Sequence, residues 1–187
     1  MDVQGAIHRP ATSPDSHPAI RASNSKSRCS IPGTRNQKCM HEYAGLGLTA
    51  ATPNEAELET AHHETVGTSS SRLQTLGQQT LTRMGLGALI VTRGRDGMMV
   101  FERGGVAHSL AVFGSDQAVD VTGAGDTVIA VLTLALAVGA TPLEAAQLAN
   151  YAGGIVVMKR GTATVTRVEL SEAIRVEATG QSGGTKG

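Results

Sequence analysis

The chain has 187 residues, and its 16 Lys and Arg balance 16 Asp and Glu, so it carries no electrostatic footprint for nucleic acid or an anionic membrane. Aromatic residues make up only 2% and Trp is absent, so one domain plus a tail must build its core from Ala, Val, Leu, Ile and Met. No apolar run reaches the roughly 18 residues of a membrane span, and Cys29 and Cys39 lie in a polar stretch that suits neither a zinc site nor a disulfide scaffold. The N-terminus lacks a basic stretch followed by an apolar one, so the expected location is cytoplasmic.

Residues 1–42 are rich in Ser, Pro, Arg and Asn and have no apolar period. Such a segment buries too little surface to offset its ordering entropy, and it reads as a disordered leader. An organelle-targeting peptide is the sharper alternative, opposed by the prolines and the missing amphipathic period. From Tyr43 the pattern becomes that of a folded α/β domain, taken here as residues 43–176, with a flexible tail over 177–187. The run "LGLTAAT" predicts a weak strand ending at Pro53. "NEAELETAH" predicts a short helix capped by Asn54, with His62 and His63 facing solvent. "SSSRLQTLGQQTLTRMG" places Leu73, Leu76, Leu81 and Met84 near helical spacing, with a glycine after them.

"ALIVT" is a continuous apolar run, as expected of a strand covered on both faces of a parallel sheet. "GMMVFERGGVAHSLAV" predicts a hairpin across Arg103-Gly104-Gly105. Next comes "DVTGAGDTVIAVLTLALAVG", where small residues and a carboxylate precede a long apolar helix. Gly123 and Gly125 allow a turn with positive φ, and a helix starting near Ala124 has unpartnered N–H groups in its first turn. With the helix dipole, these form a site for a phosphate or a developing oxyanion. Asp126 sits beside that site. A carboxylate is a poor phosphate ligand there, because like charges repel. It fits a proton acceptor for the attacking hydroxyl, or a metal between the two. Aspartate in a first helical turn is also common for dipole reasons alone. "TPLEAAQLANYAGGIVVMK" predicts a further helix with Thr141 as N-cap and Pro142 at its first position, and "VELSEAI" a last one. Strands alternating with helices indicate a parallel, doubly wound sheet that binds ligands at its strands' carboxyl ends.

Three stretches together carry a family resemblance. "DVTGAGDT" (120–127) resembles the signature of the ribokinase-like (PfkB) sugar kinases, "TPNEAELE" (52–59) their Asn-x-x-Glu element, and "IVTRGRDGMMVF" (90–101) their strand, glycine turn and hairpin. With "KRGTATV" (159–165), the glycine-aspartate stretch is most similar to the heptose-7-phosphate kinase branch, which serves ADP-heptose and lipopolysaccharide biosynthesis. The resemblance runs from Tyr43 to Ile174 and implies a Rossmann-like ribokinase fold, truncated to its C-terminal portion. It implies ATP, Mg²⁺ and a monovalent cation as cofactors, and a sugar phosphate as substrate, D-glycero-β-D-manno-heptose 7-phosphate in the branch it most resembles.

The resemblance also implies roles. Asp126 is then the general base, and Gly123, Ala124 and Gly125 offer N–H groups to the moving phosphoryl. Asn54 and Glu57 organise magnesium and the ATP phosphates through water. Thr92, Gly94 and Gly97 lie along the nucleotide, and Asn150 lines the adenine pocket. Asp120 and Thr122, helped by Gly161, hold the monovalent cation. From the residues alone, Asn54 and Glu57 read as a helix cap, Gly94 and Gly97 as a turn, and Asn150 as a satisfied polar residue on a packed helix. On this resemblance, no counterpart of the family's sugar-binding half is expected before Tyr43 and no cytidylyltransferase-type domain after Ile174. The expected partner is therefore a complementary N-terminal fragment or a second copy. A nucleotide-binding remnant without activity, or a kinase of another sugar in the same family, is the alternative.

Overall fold

The computed structural model describes residues 22–23, 44–45, 47–114, 120–121, 123–161 and 163–180. Chain order is β1 (Ala22–Ser23), β2 (Ala50–Ala51), α1 (Glu55–His62), α2 (Ser70–Met84), β3 (Ala88–Thr92), a 3₁₀ turn (Gly94–Asp96), β4 (Met98–Glu102), β5 (His108–Leu110), α3 (Ala124–Ala137), α4 (Pro142–Val157) and α5 (Arg167–Gly180). The strands form one sheet in the order β1-β2-β3-β4-β5.

The sheet is mixed. β1, β2 and β3 are parallel, while β3–β4 and β4–β5 are antiparallel. The predicted hairpin is the reason: Gly104, at φ 72°, reverses the chain within a few residues, which only antiparallel neighbours can use. The strand expected over "LGLTAAT" shrinks to Ala50–Ala51, because Pro53 has no N–H to donate and Gly47 turns at φ 64°. Ala22–Ser23 lie inside the segment expected to be a disordered leader, yet they pair with Ala50–Ala51 as β1. The rest of 1–42 lies outside the described residues. At the other end α5 runs to Gly180, four residues past the expected end of the domain at 176.

The alternation of β3 and β4 sets the layers. Leu89 and Val91 face one way with Met99 and Phe101, where they meet Leu58 of α1 and Leu73, Leu76, Leu81 and Met84 of α2. Ala88 and Ile90 face the other way with Met98 and Val100, against Val128, Leu132 and Ala135 of α3 and Ala145, Ala146 and Ala149 of α4. "ALIVT" is buried on both faces because helices cover both, although only one neighbouring strand is parallel to it. Each fully buried Leu or Ile contributes about 1.5–3 kcal/mol of transfer free energy, so these two apolar faces hold the layers together.

The helix ends follow their predicted chemistry. Gly85 closes α2 at φ 68° as expected, while Ser69, which the sequence reading did not single out, caps it through Arg72 N–H. Thr141 caps α4, with Pro142 in its first turn and Glu144 returning to the Thr141 N–H. His62 departs from expectation. Its Nε2 lies 2.7 Å from Oγ1 of Thr80, a fully buried hydroxyl of α2 that needs a polar partner. His63 is exposed as expected and ends α1 at φ 53°.

Gly77 marks the tightest helix–sheet contact. A Cβ there would stand 2.2 Å from the Phe101 ring, itself fully buried in β4. We expect Gly77→Ala to lower stability by about 1–3 kcal/mol, the usual cost of overpacking. Adding Phe101→Leu should recover part of that loss, and urea unfolding of the single and double variants measures both effects.

Candidate active site

The glycine turn forms as the sequence predicts. Gly123 takes φ 81°, a left-handed value that disfavours any side chain, and α3 begins at the next residue. Thr127 N–H and its hydroxyl both reach the Gly123 carbonyl, at 3.0 and 3.2 Å. Ala124 N–H makes a long 3.3 Å bond to the Val121 carbonyl, so one of the three expected amide donors is partly engaged. Among the described residues, nothing beyond the turn and the helix's own backbone lies within 4 Å of where a Cβ would stand at Gly123 or Gly125. The space over the start of α3 is open to a ligand, and Asp126 is exposed in the first turn beside it.

Two glycines of α4 set where this turn lies. A Cβ on Gly153 would stand 3.0 Å from Val128 of α3, and one on Gly154 would stand 2.2 Å from the Phe113 carbonyl. The chain after β5 therefore runs close along α4. Asn150 Nδ2 donates to the Ala111 carbonyl at 2.7 Å, and Phe113 meets Tyr151 edge-on with centroids 4.9 Å apart. Farther along, Asp120 N–H donates to the Val157 carbonyl, and Gly161 N–H donates to Asp120 Oδ2 at 3.0 Å. Asp120 and Gly161 are thus brought together as the resemblance implied, while Thr122 lies outside the described residues. Asn150 is only 8% exposed and its amide holds backbone, the bland alternative read from the residues.

A second group collects at the carboxyl ends of β2 and β3. Asn54 pairs as a parallel bridge with Thr92, and Thr92 N–H donates to the Pro53 carbonyl at 3.0 Å. Asn54 and Glu57 form a reciprocal capping box, with Glu57 N–H to Asn54 Oδ1 at 2.8 Å and Asn54 N–H to Glu57 Oε2 at 2.9 Å. Arg93 pairs with Glu55 at 3.2 Å across the same junction. Gly94, at φ 56°, opens the 3₁₀ turn, which Gly97 closes at φ 79°. Gly97 is required by packing as well, since a Cβ would stand 2.0 Å from the Leu110 carbonyl of β5.

The last helix expected over "VELSEAI" forms within α5, but sequence reasoning missed how its start is held. Lys159 Nζ donates to the Thr164 carbonyl and pairs with Glu169 Oε1, both at 2.7 Å. Glu169 Oε2 also accepts from Thr166 N–H and hydroxyl, capping α5. The Thr166-x-x-Glu169 spacing was a readable cap signal; the lysine contact was not. Lys159, then the Thr166 backbone and hydroxyl, lower the Glu169 pKa from 4.5 to about 2. The sign follows directly. The charged form is favoured in the fold, so its contribution is present above pH 4.5 and is lost as pH falls through about 2. NMR of the Glu169 carboxyl should show it still ionised at about pH 3.5, where an ordinary glutamate is mostly protonated.

Two surface cavities lie elsewhere, on the α1–α2 side. One, of about 480 Å³, is lined by His62, Gln78, Gln79, Thr82 and Arg83 and includes no predicted site residue. Among the described residues no three His, Cys, Asp or Glu side chains group so as to hold a metal, and no helix is long and apolar enough to cross a membrane.

The sequence pattern described as pfkB family carbohydrate kinase matches residues 20–168. The chain belongs to this family. The match starts well before Tyr43, in keeping with β1 at Ala22–Ser23. Bifunctional protein HldE of Nitrosococcus oceani is 46% identical over 136 residues, covering 71% of the chain and 27% of that protein. HldE of Trichlorobacter lovleyi is 38% identical over 163 residues, covering 86% and 33%. The chain therefore spans about a quarter to a third of the length of these relatives. The ribokinase of Arabidopsis thaliana, solved with ribose and ATP, superposes with a TM-score of 0.63 at 23% identity, over 68% of this chain and 41% of that one. Phosphofructokinase-2 of Escherichia coli, solved with potassium, gives 0.64 at 17% identity, over 71% and 42%. The pfkB chain thus has a ribokinase-like α/β fold and accounts for part of it.

Proposed function

We propose that this chain takes part in ATP-dependent phosphoryl transfer to a sugar or sugar phosphate. The observation that carries the reading is the open helix start at Gly123–Gly125 with Asp126 exposed in its first turn. Phosphoryl transfer asks a protein chiefly for alignment, charge neutralisation and a proton acceptor. The Gly125 N–H, the rest of that first turn and the α3 dipole supply fixed positive potential for the moving group. Asp126 takes the proton of the attacking hydroxyl. Gly123 is needed for its φ, and Gly125 for the room above it.

The carboxyl ends of β2 and β3 suit the nucleotide side. Asn54, Glu57, Thr92 and Gly94 lie together there, and Glu57 offers a carboxylate held by its cap. Magnesium keeps several waters and binds through one or two carboxylates plus phosphates, and Glu57 is the carboxylate that would serve it here. When bound, magnesium would neutralise charge on the ATP phosphates. Asp120, pinned by Gly161, is the residue we assign to a monovalent cation.

The preferred acceptor is D-glycero-β-D-manno-heptose 7-phosphate at its anomeric hydroxyl, on the strength of the HldE relatives and the stretches at 120–129 and 159–165. Such a reaction would serve ADP-heptose synthesis for lipopolysaccharide in the cytoplasm. The partial coverage of the solved kinases supports a partner that completes the fold, either a complementary N-terminal portion or a second copy. A second reading, a nucleotide-binding module without turnover, is favoured by the chain's accounting for only 41–42% of the solved kinases it superposes on. The test is the purified chain with ATP, magnesium and a panel of sugar phosphates, with and without a kinase N-terminal portion. We expect ADP release with the heptose phosphate in the complemented sample. ATP binding without transfer in both samples would favour the module.

A further inference from the structure

The segment between α4 and α5 closes on itself. Lys159 follows α4 by one residue past its cap, and its ammonium spans to the Thr164 carbonyl at 2.7 Å. Glu169, in the first turn of α5, holds the same ammonium at 2.7 Å and with its other oxygen caps the helix at Thr166. Gly161 lies inside the loop so closed, at φ 71°, and its N–H is the group that meets Asp120 Oδ2. Asp120 leads through Val121 into the Gly123 turn, and Val121's carbonyl accepts from Ala124 N–H.

We propose that Lys159 and Glu169 are positioning residues: by closing the 159–164 loop they keep Gly161 on Asp120, and through Asp120 they set the start of α3. An exposed ion pair contributes little stability, and here both partners are about one-third exposed. Its consequence is therefore local geometry and not global free energy. The ammonium has two acceptors on different elements, and the carboxylate has two sets of donors, so moving either displaces both ends of the loop. That the positioned turn transfers phosphate rests on the kinase reading; the coupling itself does not.

NMR of the full chain tests this without any turnover. Lys159→Met removes both contacts of the ammonium. Glu169→Gln keeps an oxygen for the Thr166 cap but removes the charge, and covers the case in which the first variant fails to fold. Lys159→Arg keeps donors for both acceptors. We expect exchange of the Gly161 amide to rise about ten-fold in Lys159→Met and Glu169→Gln. The Gly123–Thr127 amides should shift as well, those of α2 and β3 should stay as in the parent, and Lys159→Arg should resemble the parent. Unchanged Gly161 and Gly123–Thr127 signals would overturn the proposal, as would equal acceleration of every amide, which marks a loss of overall stability only. A chain that shows the coupling but neither binds ATP nor transfers phosphate, even with a kinase N-terminal portion added, would sink the kinase reading alone.

Discussion

Asp126→Asn, placed in a catalytically complete protein carrying this chain, is expected to lower kcat by about 10²- to 10⁴-fold with ATP affinity retained. That range corresponds to about 3–5 kcal/mol of activation free energy. The substitution keeps the shape of the side chain and removes its ability to accept a proton. Its effect on the fold should be slight, because losing one negative charge from the exposed first turn of a helix costs about 0.3–1 kcal/mol. The difference between these magnitudes separates the two roles that Asp126 could have. Steady-state kinetics with a sugar phosphate, alongside ATP titration and urea unfolding of the same variant, measures both. Turnover at the parental rate would remove Asp126 from the chemistry and leave it as a dipole partner of α3.

The largest stability effect is expected at Gly97. Its φ of 79° with ψ of −129° belongs to glycine, and a Cβ would stand 2.0 Å from the Leu110 carbonyl and 2.8 Å from the backbone of Ala111 and Val112. Forcing a side chain into such a conformation costs about 1–3 kcal/mol. Overpacking against backbone, which cannot rotate away, adds about 1–3 kcal/mol or more. Gly97→Ala should therefore lose about 3 kcal/mol or more, a large share of the 5–15 kcal/mol typical of a domain. Gly94→Ala is the internal control. Gly94 also has positive φ, at 56°, but nothing lies within 4 Å of its Cβ position, so only the conformational cost of about 1–2 kcal/mol applies. Equal losses in the two variants, read from urea midpoints, would show that β5 does not press on Gly97.

The site was legible where its chemistry is local. The turn at Gly123, the start of α3 and the place of Asp126 in its first turn follow from residues adjacent in the chain. So does the Asn54–Glu57 box, which the residues alone read as a cap and which the structure shows as one. Whether Glu57 also organises phosphates is a proposal that capping neither adds to nor removes. Asn150 and His62 were the harder cases, because each is settled by a group far away in sequence. Asn150 donates to Ala111, 39 residues earlier, and His62 meets Thr80. No local pattern announces a carbonyl or a hydroxyl that needs a partner.

The sequence by itself determined the local elements: helix periods and caps at Asn54 and Thr141, the apolar strand 88–92, the hairpin turn, and the glycine-aspartate stretch with its family kinship. These depend on backbone preferences and side-chain spacing within a few residues. Only the tertiary structure decided that Ala22–Ser23 joins the sheet and that the sheet is mixed. It alone showed that Gly77, Gly97 and Gly154 stand where another segment presses close, and that Lys159 reaches from the end of α4 to Glu169. Those facts depend on which surfaces meet after the chain has folded back. Close packing leaves no room for even one methyl at such meetings, and the spacing of residues along a chain does not encode where they occur.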